Sequence, residues 1–263
     1  MTASLSPRTR TPRAPGIAAP PAPGPIPFSR LVRVEWAKAT DTRAAHLLLA
    51  LVALSTAGIM LAPILAPERF DQTYTGYLEV ASMPQVALLP LVGILMLTGE
   101  WSHRSVITTF TQEPRRIRVV SAKVTASLML SGGAAIFGGM ATAGGLALAA
   151  ASGRTLEGTL SVGDITGYLI YLLLNMLGGV AIGALLQSSA TAIAAYFALN
   201  ITVALLGTAS SLIDDWIDTE TTWTWVLDNN WSGHVPQVAV STLVWVVLPL
   251  AAGVVRTVRR DAS

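Results

Sequence analysis

Few side chains in this sequence have the type and spacing that catalysis requires. The chain has no cysteine and only three histidines, His46, His103 and His234. It contains no HExxH zinc motif and no GxxxxGK[ST] phosphate loop. These absences disfavour a histidine-dependent hydrolase, a histidine or thiolate metal site, and ATP binding through a phosphate loop. We therefore do not expect the chain to be an enzyme or to bind a metal or cofactor by itself.

The clearest arrangement of residues lies in segment 99–123, which reads GEWSHRSVITTFTQEPRRIRVVSAK. Val106, Ile107 and Phe110 are apolar residues at helical spacing, and they predict a short amphipathic helix over 103–112. A short helix between two long helices is a mechanical part, because a push on it moves both neighbours together. The segment is therefore a candidate docking site for a protein partner.

Charged residues flank this predicted helix on both sides. Glu100 precedes it at the end of a long helix, where it can also pair with the arginine four residues later. Pro114 ends the predicted helix and can begin the next one, because the first turn of a helix needs no N–H group there. Arg115, Arg116 and Arg118 follow and are expected to lie at the level of the lipid headgroups.

The overall composition identifies the class of protein that must position this segment. Of the 263 residues, 52% are hydrophobic and only 12% are charged, and the mean hydropathy is +0.57. A soluble enzyme could not cover so much apolar surface with so few charged side chains. A disordered chain has the opposite composition, and a nucleic-acid-binding protein needs a dense basic face. The composition indicates an integral membrane protein.

Six apolar stretches are long enough to cross a bilayer as helices, which takes about 20 residues each. They are residues 46–66, 80–98, 122–151, 165–187, 190–213 and 238–255. Pro84 and Pro90 interrupt the second stretch, but proline is tolerated where neighbouring helices satisfy the freed carbonyl groups. Only Gln187, Ser188 and Ser189 separate the fourth and fifth stretches, which predicts a tight helical hairpin. We expect an all-α fold with six transmembrane helices.

The remaining sequence divides into a tail, an interfacial helix and a second tail. Residues 1–27 hold 8 of the 15 prolines and no acidic residue, so we expect a disordered cytoplasmic tail. Residues 28–45 predict an interfacial helix, because apolar positions such as Trp36 recur at helical spacing beside basic ones. The simpler alternative is a positively charged flank of the first span. Residues 46–255 form the transmembrane domain, and 256–263 form the second cytoplasmic tail.

The distribution of charge predicts the orientation in the membrane. The side that carries both termini and segment 99–123 has 15 basic and 5 acidic residues. The opposite side has 10 acidic residues and 2 basic ones, Arg69 and Arg154, so the net charge of +2 hides a strong polarity. Because loops rich in Lys and Arg stay in the cytoplasm, both termini are expected there. The Arg-, Ala- and Gly-rich composition is typical of a bacterial protein, which predicts a bacterial cell membrane.

An acidic segment, residues 214–237, precedes the sixth span on the external side. It has five acidic residues, no Lys or Arg, and four of the seven tryptophans: Trp216, Trp223, Trp225 and Trp231. Because tryptophan favours the headgroup level, this pattern predicts one or two short helices that dip into the outer interface. The alternative is a solvated loop with incidental aromatic residues.

Charged residues are absent from the predicted spans except near their ends, as at Glu79 and Asp164. An ion-coupled carrier, which uses charges within the membrane, is therefore disfavoured. Asn175 and Asn200 are candidates for lining a substrate path, although such amides more often form hydrogen bonds between helices. A GxxxG motif at 179–183 favours close helix packing.

The order of these features resembles the permeases of the type-2 ATP-binding-cassette (ABC) exporters. In that family the second span ends in Glu and an aromatic residue, and a short coupling helix leads to a Pro-Arg-Arg-like turn into the third span. The matching positions in this sequence are Glu100, Trp101, His103, Arg104, Ser105, Pro114, Arg115 and Arg116. Glycine is commoner in the family at the position of Arg104. The resemblance covers roughly residues 28–260, with an N-terminal elbow helix, six spans and an external helical segment.

The resemblance implies partners and a function. Two permeases, as a homodimer or with a sister subunit, would pair in the membrane, and two separate ATPase subunits would bind ATP and Mg and dock on the coupling helix. The residues assigned to this contact are Glu100, Trp101, His103, Arg104, Val106, Ile107, Phe110, Arg115 and Arg116. Such a complex would export a hydrophobic or amphipathic substrate, in contact with membrane lipid and without nucleic acid.

The alternative function is a non-transporting membrane scaffold or sensor subunit. It would bind a cytoplasmic partner through the same segment, 99–123. In that case the arginines of the segment would anchor the protein to anionic lipid and set its topology.

Overall fold

A computed structural model of the chain describes residues 26–102 and 115–259, apart from the side chains of residues 100–102. Within these residues the chain is all-α, and six helices are long and apolar enough to cross a membrane. These candidate spans are Arg43–Leu65, Tyr74–Gly99, Arg116–Ala151, Val162–Leu186, Ser189–Gly207 and Val235–Arg259. The predicted fold class is confirmed, and the chain is a multi-pass membrane protein.

The described helices are numbered here in chain order. They are α1 (Phe28–Thr40), α2 (Arg43–Ile59), α3 (Ala62–Leu65), α4 (Tyr74–Ser102), α5 (Arg116–Ala151), α6 (Val162–Leu186), α7 (Ser189–Gly207), α8 (Ser211–Trp216), α9 (Thr219–Leu227), α10 (Val235–Thr242) and α11 (Leu248–Arg259). A π-helical turn, Leu243–Val247, joins α10 to α11 within the last span.

The N-terminal helix α1 is shorter than the expected 28–45, because the chain bends after Thr40 and begins the first span at Arg43. Thr42 is the N-cap of α2, and its hydroxyl accepts a hydrogen bond from the Ala45 N–H at 3.1 Å. Capping by Thr satisfies one of the free N–H groups at the start of a helix. The cap therefore separates the interfacial helix from the first span.

The helices α4 and α6 form the closest packed pair of spans. α4 runs without a break through Pro84 and Pro90. A Cβ atom added at Gly179 would lie 2.2 Å from the Pro90 carbonyl oxygen, and one added at Gly183 would lie 3.1 Å from the Ile94 Cα atom. The GxxxG motif of α6 therefore packs against α4 of the same chain, and larger residues would force the two backbones apart.

The third span, α5, has 36 residues and is therefore about 54 Å long, well beyond a hydrocarbon core of about 30 Å. The predicted span, 122–151, lies within this helix, which begins six residues earlier. Its buried side carries small and polar residues, among them Ser127, Ser131 and Thr142. Large apolar side chains such as Ile136 and Met140 lie on its exposed side.

The predicted helical hairpin between the fourth and fifth spans is present. α6 begins with a capping box, in which Ser161 and Asp164 bind each other's backbone N–H groups. It ends at Leu186, and Gln187 takes a left-handed conformation with φ +56° before α7 starts at Ser189. α7 is the least buried of the candidate spans, so most of its surface is free to contact lipid or another protein.

The acidic segment 214–237 contains the short helix α9 and the second half of α8, which begins three residues earlier at Ser211. The tryptophans differ in burial: Trp223 of α9 is only 1% exposed, whereas Trp231 is 45% exposed. Trp223 packs against Gly178 of α6 and near Tyr196 of α7. α9 is therefore part of the helical core, which a general preference of tryptophan for headgroups could not predict.

Candidate functional site

The candidate site is the end of the bundle where α4 ends, α5 begins and residues 103–114 join them. α1, the turn between α6 and α7, and the last turns of α11 meet at the same end. Several predicted coupling residues lie outside the described residues, namely His103, Arg104, Val106, Ile107 and Phe110. Glu100 and Trp101 belong to the last turn of α4, and their side chains are also outside the described part.

Arginine side chains at this end bind backbone carbonyl groups in the last turns of helices. Arg116 donates to the Thr257 carbonyl of α11 at 2.7 Å, and Arg256 donates to the Leu185 carbonyl of α6 at 2.7 Å. These carbonyl groups carry the partial negative charge of a helix C-terminus, which a guanidinium group stabilises. Arg115 is the exposed N-cap residue of α5. Arg116 therefore holds two spans together, a role that the sequence analysis did not assign to it.

A buried ion pair joins α1 to α5, next to α4, at the same end of the bundle. Lys123 Nζ is 2.6 Å from Glu35 Oε2, and the two side chains are only 7% and 6% exposed. The other carboxylate oxygen of Glu35 accepts from Lys38 Nζ at 2.8 Å. Lys123 Nζ also donates to the Met96 carbonyl of α4 at 3.3 Å. In measured cases, removal of one partner of a buried ion pair costs about 3–5 kcal/mol.

The sequence alone does not identify this pair. Charge places Lys123 in a basic cytoplasmic segment, and no partner of Glu35 is apparent from local spacing. One signal was present: Glu35 lies four residues after Leu31 and four before Ala39, so it shares a helix face with apolar residues. An acidic residue on the apolar side of an otherwise basic helix predicts a buried cationic partner, although not which one.

Neutral side chains join the same ends of the spans. Thr98 Oγ1 of α4 is 2.8 Å from Ser189 Oγ at the start of α7, and it also donates to the Ile94 carbonyl of its own helix. Gln187 Nε2 donates to Thr257 Oγ1 of α11 at 3.0 Å. Together with the arginines, these contacts connect α4, α6, α7 and α11 around the start of α5.

The two asparagines proposed for a path lie in different surroundings. Asn175 is buried in α6, and its amide donates to the Tyr171 carbonyl of the same helix at 3.0 Å. Asn200 donates to the Tyr196 carbonyl of α7, and its side-chain oxygen accepts from Thr219 Oγ1 of α9 at 2.9 Å. Asn200 thus packs two elements together, and its role in a path stays a prediction, as does that of Asn175.

The middle of the bundle contains a hydrogen-bonded set that the sequence analysis missed. Tyr168 Oη of α6 donates to Gln85 Oε1 of α4 at 2.6 Å, and Gln85 Nε2 donates to the Ala134 carbonyl of α5 at 2.9 Å. These bonds connect three spans. Among the described interior side chains, the hydroxyls of Thr56 and Thr142 are buried without a hydrogen-bond partner.

At the end of the bundle opposite the candidate site, α9 and the residues between α8 and α9 are bonded to the last span. Trp245 Nε1, in the π-helical turn, donates to the Ile217 carbonyl at 2.8 Å. Thr222 Oγ1 of α9 donates to Ser241 Oγ of α10 at 2.8 Å. A π-helical turn is a rare feature that often marks a functional region. Here it coincides with the contact between the last span and the external segment.

Two aspartates at this end have altered acidity. Burial raises the pKa of the Asp218 carboxyl, and the nearby charge of Asp214 raises it further, whereas the hydrogen bond from the Glu220 N–H lowers it. Burial likewise raises the pKa of Asp228. Asp218 is the N-cap of α9, accepting from the Glu220 N–H at 3.0 Å.

Among the described residues, no group of three or more His, Asp or Glu side chains is arranged to hold a metal ion. No protein-family model matches the chain, and no curated protein matches its sequence significantly.

Proposed function

We propose that this protein is the membrane-spanning permease subunit of an ATP-driven exporter of the type-2 ABC family. The observation that carries the proposal is segment 99–123, whose Glu-Trp and Pro-Arg-Arg elements bound a predicted amphipathic helix at the basic end of six candidate spans. The sequence has no phosphate loop, so energy for transport would come from a separate ATPase. The chain itself is then not an enzyme.

Contacts between α4 and α5 support a mechanical role for the segment that joins them. Lys123 of α5 binds the Met96 carbonyl of α4, and Gln85 of α4 binds the Ala134 carbonyl of α5. α4 is also closely packed on α6 at Pro90 and Gly179. A displacement of segment 103–114 by a partner would therefore move α4 and α5 together and pass to α6, since packed helices move as rigid bodies.

In this proposal, ATP and Mg bind to two ATPase subunits on the cytoplasmic side of the bacterial cell membrane. A second permease copy or a sister permease completes the complex. The substrate is hydrophobic or amphipathic, because charged residues of the spans lie near their ends and the middle of the bundle is apolar and neutral polar. Closure of the ATPases on ATP would switch the paired permeases between inward-facing and outward-facing states.

The proposal is tested by replacing the apolar face of the predicted coupling helix. We expect Val106→Asp/Ile107→Asp/Phe110→Asp to leave the protein in the membrane but to release the ATPase, because charged groups cannot fill an apolar groove. The measurements are co-purification of the ATPase with the tagged permease from native membranes, and substrate-stimulated ATP hydrolysis. A matched control, Thr108→Asp/Thr111→Asp/Gln112→Asp, adds the same charge at other positions of the predicted helix. This control should still co-purify with the ATPase and should keep its substrate-stimulated hydrolysis.

Normal stimulated hydrolysis in the apolar-face variant would refute the coupling assignment. If the wild-type chain co-purifies with a cytoplasmic protein that hydrolyses no ATP, the scaffold or sensor alternative is supported instead.

A further inference from the structure

The buried pair of Glu35 and Lys123 lies close to both ends of segment 103–114. Met96, whose carbonyl accepts from Lys123 Nζ, is six residues before the end of α4 at Ser102. Lys123 is seven residues after the start of α5 at Arg116. At 1.5 Å per residue, both are about 10 Å from the ends of the segment. The pair therefore lies where α4 and α5 leave the bundle.

The same pair attaches α1 to this point. Both oxygens of the Glu35 carboxylate are bonded, one to Lys123 Nζ and the other to Lys38 Nζ. The chain just before α1 is attached to α5 as well, because Arg118 donates to the Ile26 carbonyl at 2.7 Å. α1 is therefore bonded to α5 both through Glu35 and through the residue two positions before its start.

An apolar pair of similar size would serve simple stability at least as well, since removing two charges from water is costly. A directional ion pair, in contrast, selects one arrangement of the helices, and fixing register is the best-attested use of buried polar groups. A buried ion pair is therefore better suited to positioning helices than to adding stability.

We infer that Glu35 and Lys123 are a positioning pair that holds α1 against α4 and α5 and so fixes the spacing of the two ends of segment 103–114. This placement of α1 follows from the contacts alone. Its consequence for ATP hydrolysis rests on the proposed function.

The placement is measured by the distance between nitroxide labels on Val34→Cys in α1 and Ile136→Cys in α5. Both positions are exposed, and the native chain has no cysteine, so only these sites react. Ile136 lies about 20 Å along α5 from Lys123, which suits pulsed electron–electron resonance. The measurement uses the full chain in lipid nanodiscs and needs no ATPase.

We expect Glu35→Gln, Lys123→Met and the double variant to broaden this distance distribution. The double variant removes both charges of the pair together, so it decides the question if the single variants do not fold. Lys123→Arg, which keeps the positive charge and the N–H donors, should show the native distance distribution. Lys38→Met removes the more exposed partner of the Glu35 carboxylate and should leave the distance distribution unchanged. A native distribution in the double variant would overturn the inference.

A second readout connects placement to coupling. In the complex with its ATPase, we expect the double variant to retain the ATPase but to lose about tenfold in stimulated hydrolysis, within the range seen for substitutions along a coupling path. Unchanged hydrolysis together with a broadened distribution would overturn the link to coupling. Failure of the wild-type chain to bind any ATPase would overturn the proposed function and leave the distance result standing.

Discussion

The interior of the bundle depends on a few polar side chains that pair across helices. The hydroxyl of Tyr168 reaches Gln85 because residue 138 is glycine, and a Cβ atom added there would lie 1.8 Å from the Tyr168 oxygen. Gly139, the next residue on the same helix, has no atom within 4 Å of its added Cβ position. Two adjacent glycines thus have different structural roles.

We expect Gly138→Ala to lower the melting temperature of the purified protein, whereas Gly139→Ala should not. The added methyl group must displace Tyr168, and overpacking of this kind costs about 1–3 kcal/mol. At Gly139 the alanine meets open space and favours the helix. A thermal unfolding measurement in detergent compares the two variants. Equal melting temperatures would contradict the packing described for Tyr168.

At the residue scale, the sequence predicted the positions of charge better than their partners. Glu35 and Lys123 are 88 positions apart, and Tyr168 and Gln85 are 83 apart, so no local pattern connects either pair. Arg116 was predicted at the basic end, but its contact with the Thr257 carbonyl depends on where the last span ends. Such contacts require the three-dimensional packing of the helices.

The short helix α9 contacts three other helices, α6, α7 and α10. Thr219 binds Asn200 of α7, and Thr222 binds Ser241 of α10. The Val226 carbonyl lies 2.2 Å from where a Cβ atom of Gly167 in α6 would be. α9 therefore packs across the end of the bundle opposite the candidate site, and Asp218 caps its first turn.

The acidity of Asp218 predicts a pH-dependent stability of this element. A raised pKa means that the folded chain binds more protons, so stability falls as pH rises from about 4 through the raised value. We expect Asp218→Asn to keep the cap and reduce this decline in melting temperature. Asp218→Ala should cost about 1 kcal/mol through loss of the cap. Asp215→Asn is the control for charge removal, and a full decline in Asp218→Asn would contradict the assignment.

At the element scale, length and hydrophobicity predicted the six spans, because each must cross the same apolar layer. It was harder to predict where helices bend and where they continue. The bend before Arg43 and the continuation of α4 through Pro84 depend on a single cap and on neighbouring helices. The burial of Trp223 follows from the small residue facing it, Gly178, which the composition of the segment does not reveal.

The whole molecule is polarised along the membrane normal. Six spans bring both ends of the transmembrane domain to one side, as the contacts of Arg118 with Ile26 and of Arg116 with Thr257 show. The sequence assigns 15 basic and 5 acidic residues to this side and 2 basic and 10 acidic residues to the other. This polarity predicts which end faces the cytoplasm, and the docking proposal requires that end to be the basic one.

The orientation is measured directly by labelling introduced cysteines with a membrane-impermeant maleimide. Ser232→Cys, an exposed position in the external segment, should react in intact cells. Thr109→Cys, in the segment proposed to bind the ATPase, should react only after the cells are permeabilised. Labelling of Thr109→Cys but not Ser232→Cys in intact cells would reverse the topology and contradict the proposal that this segment receives a cytoplasmic ATPase.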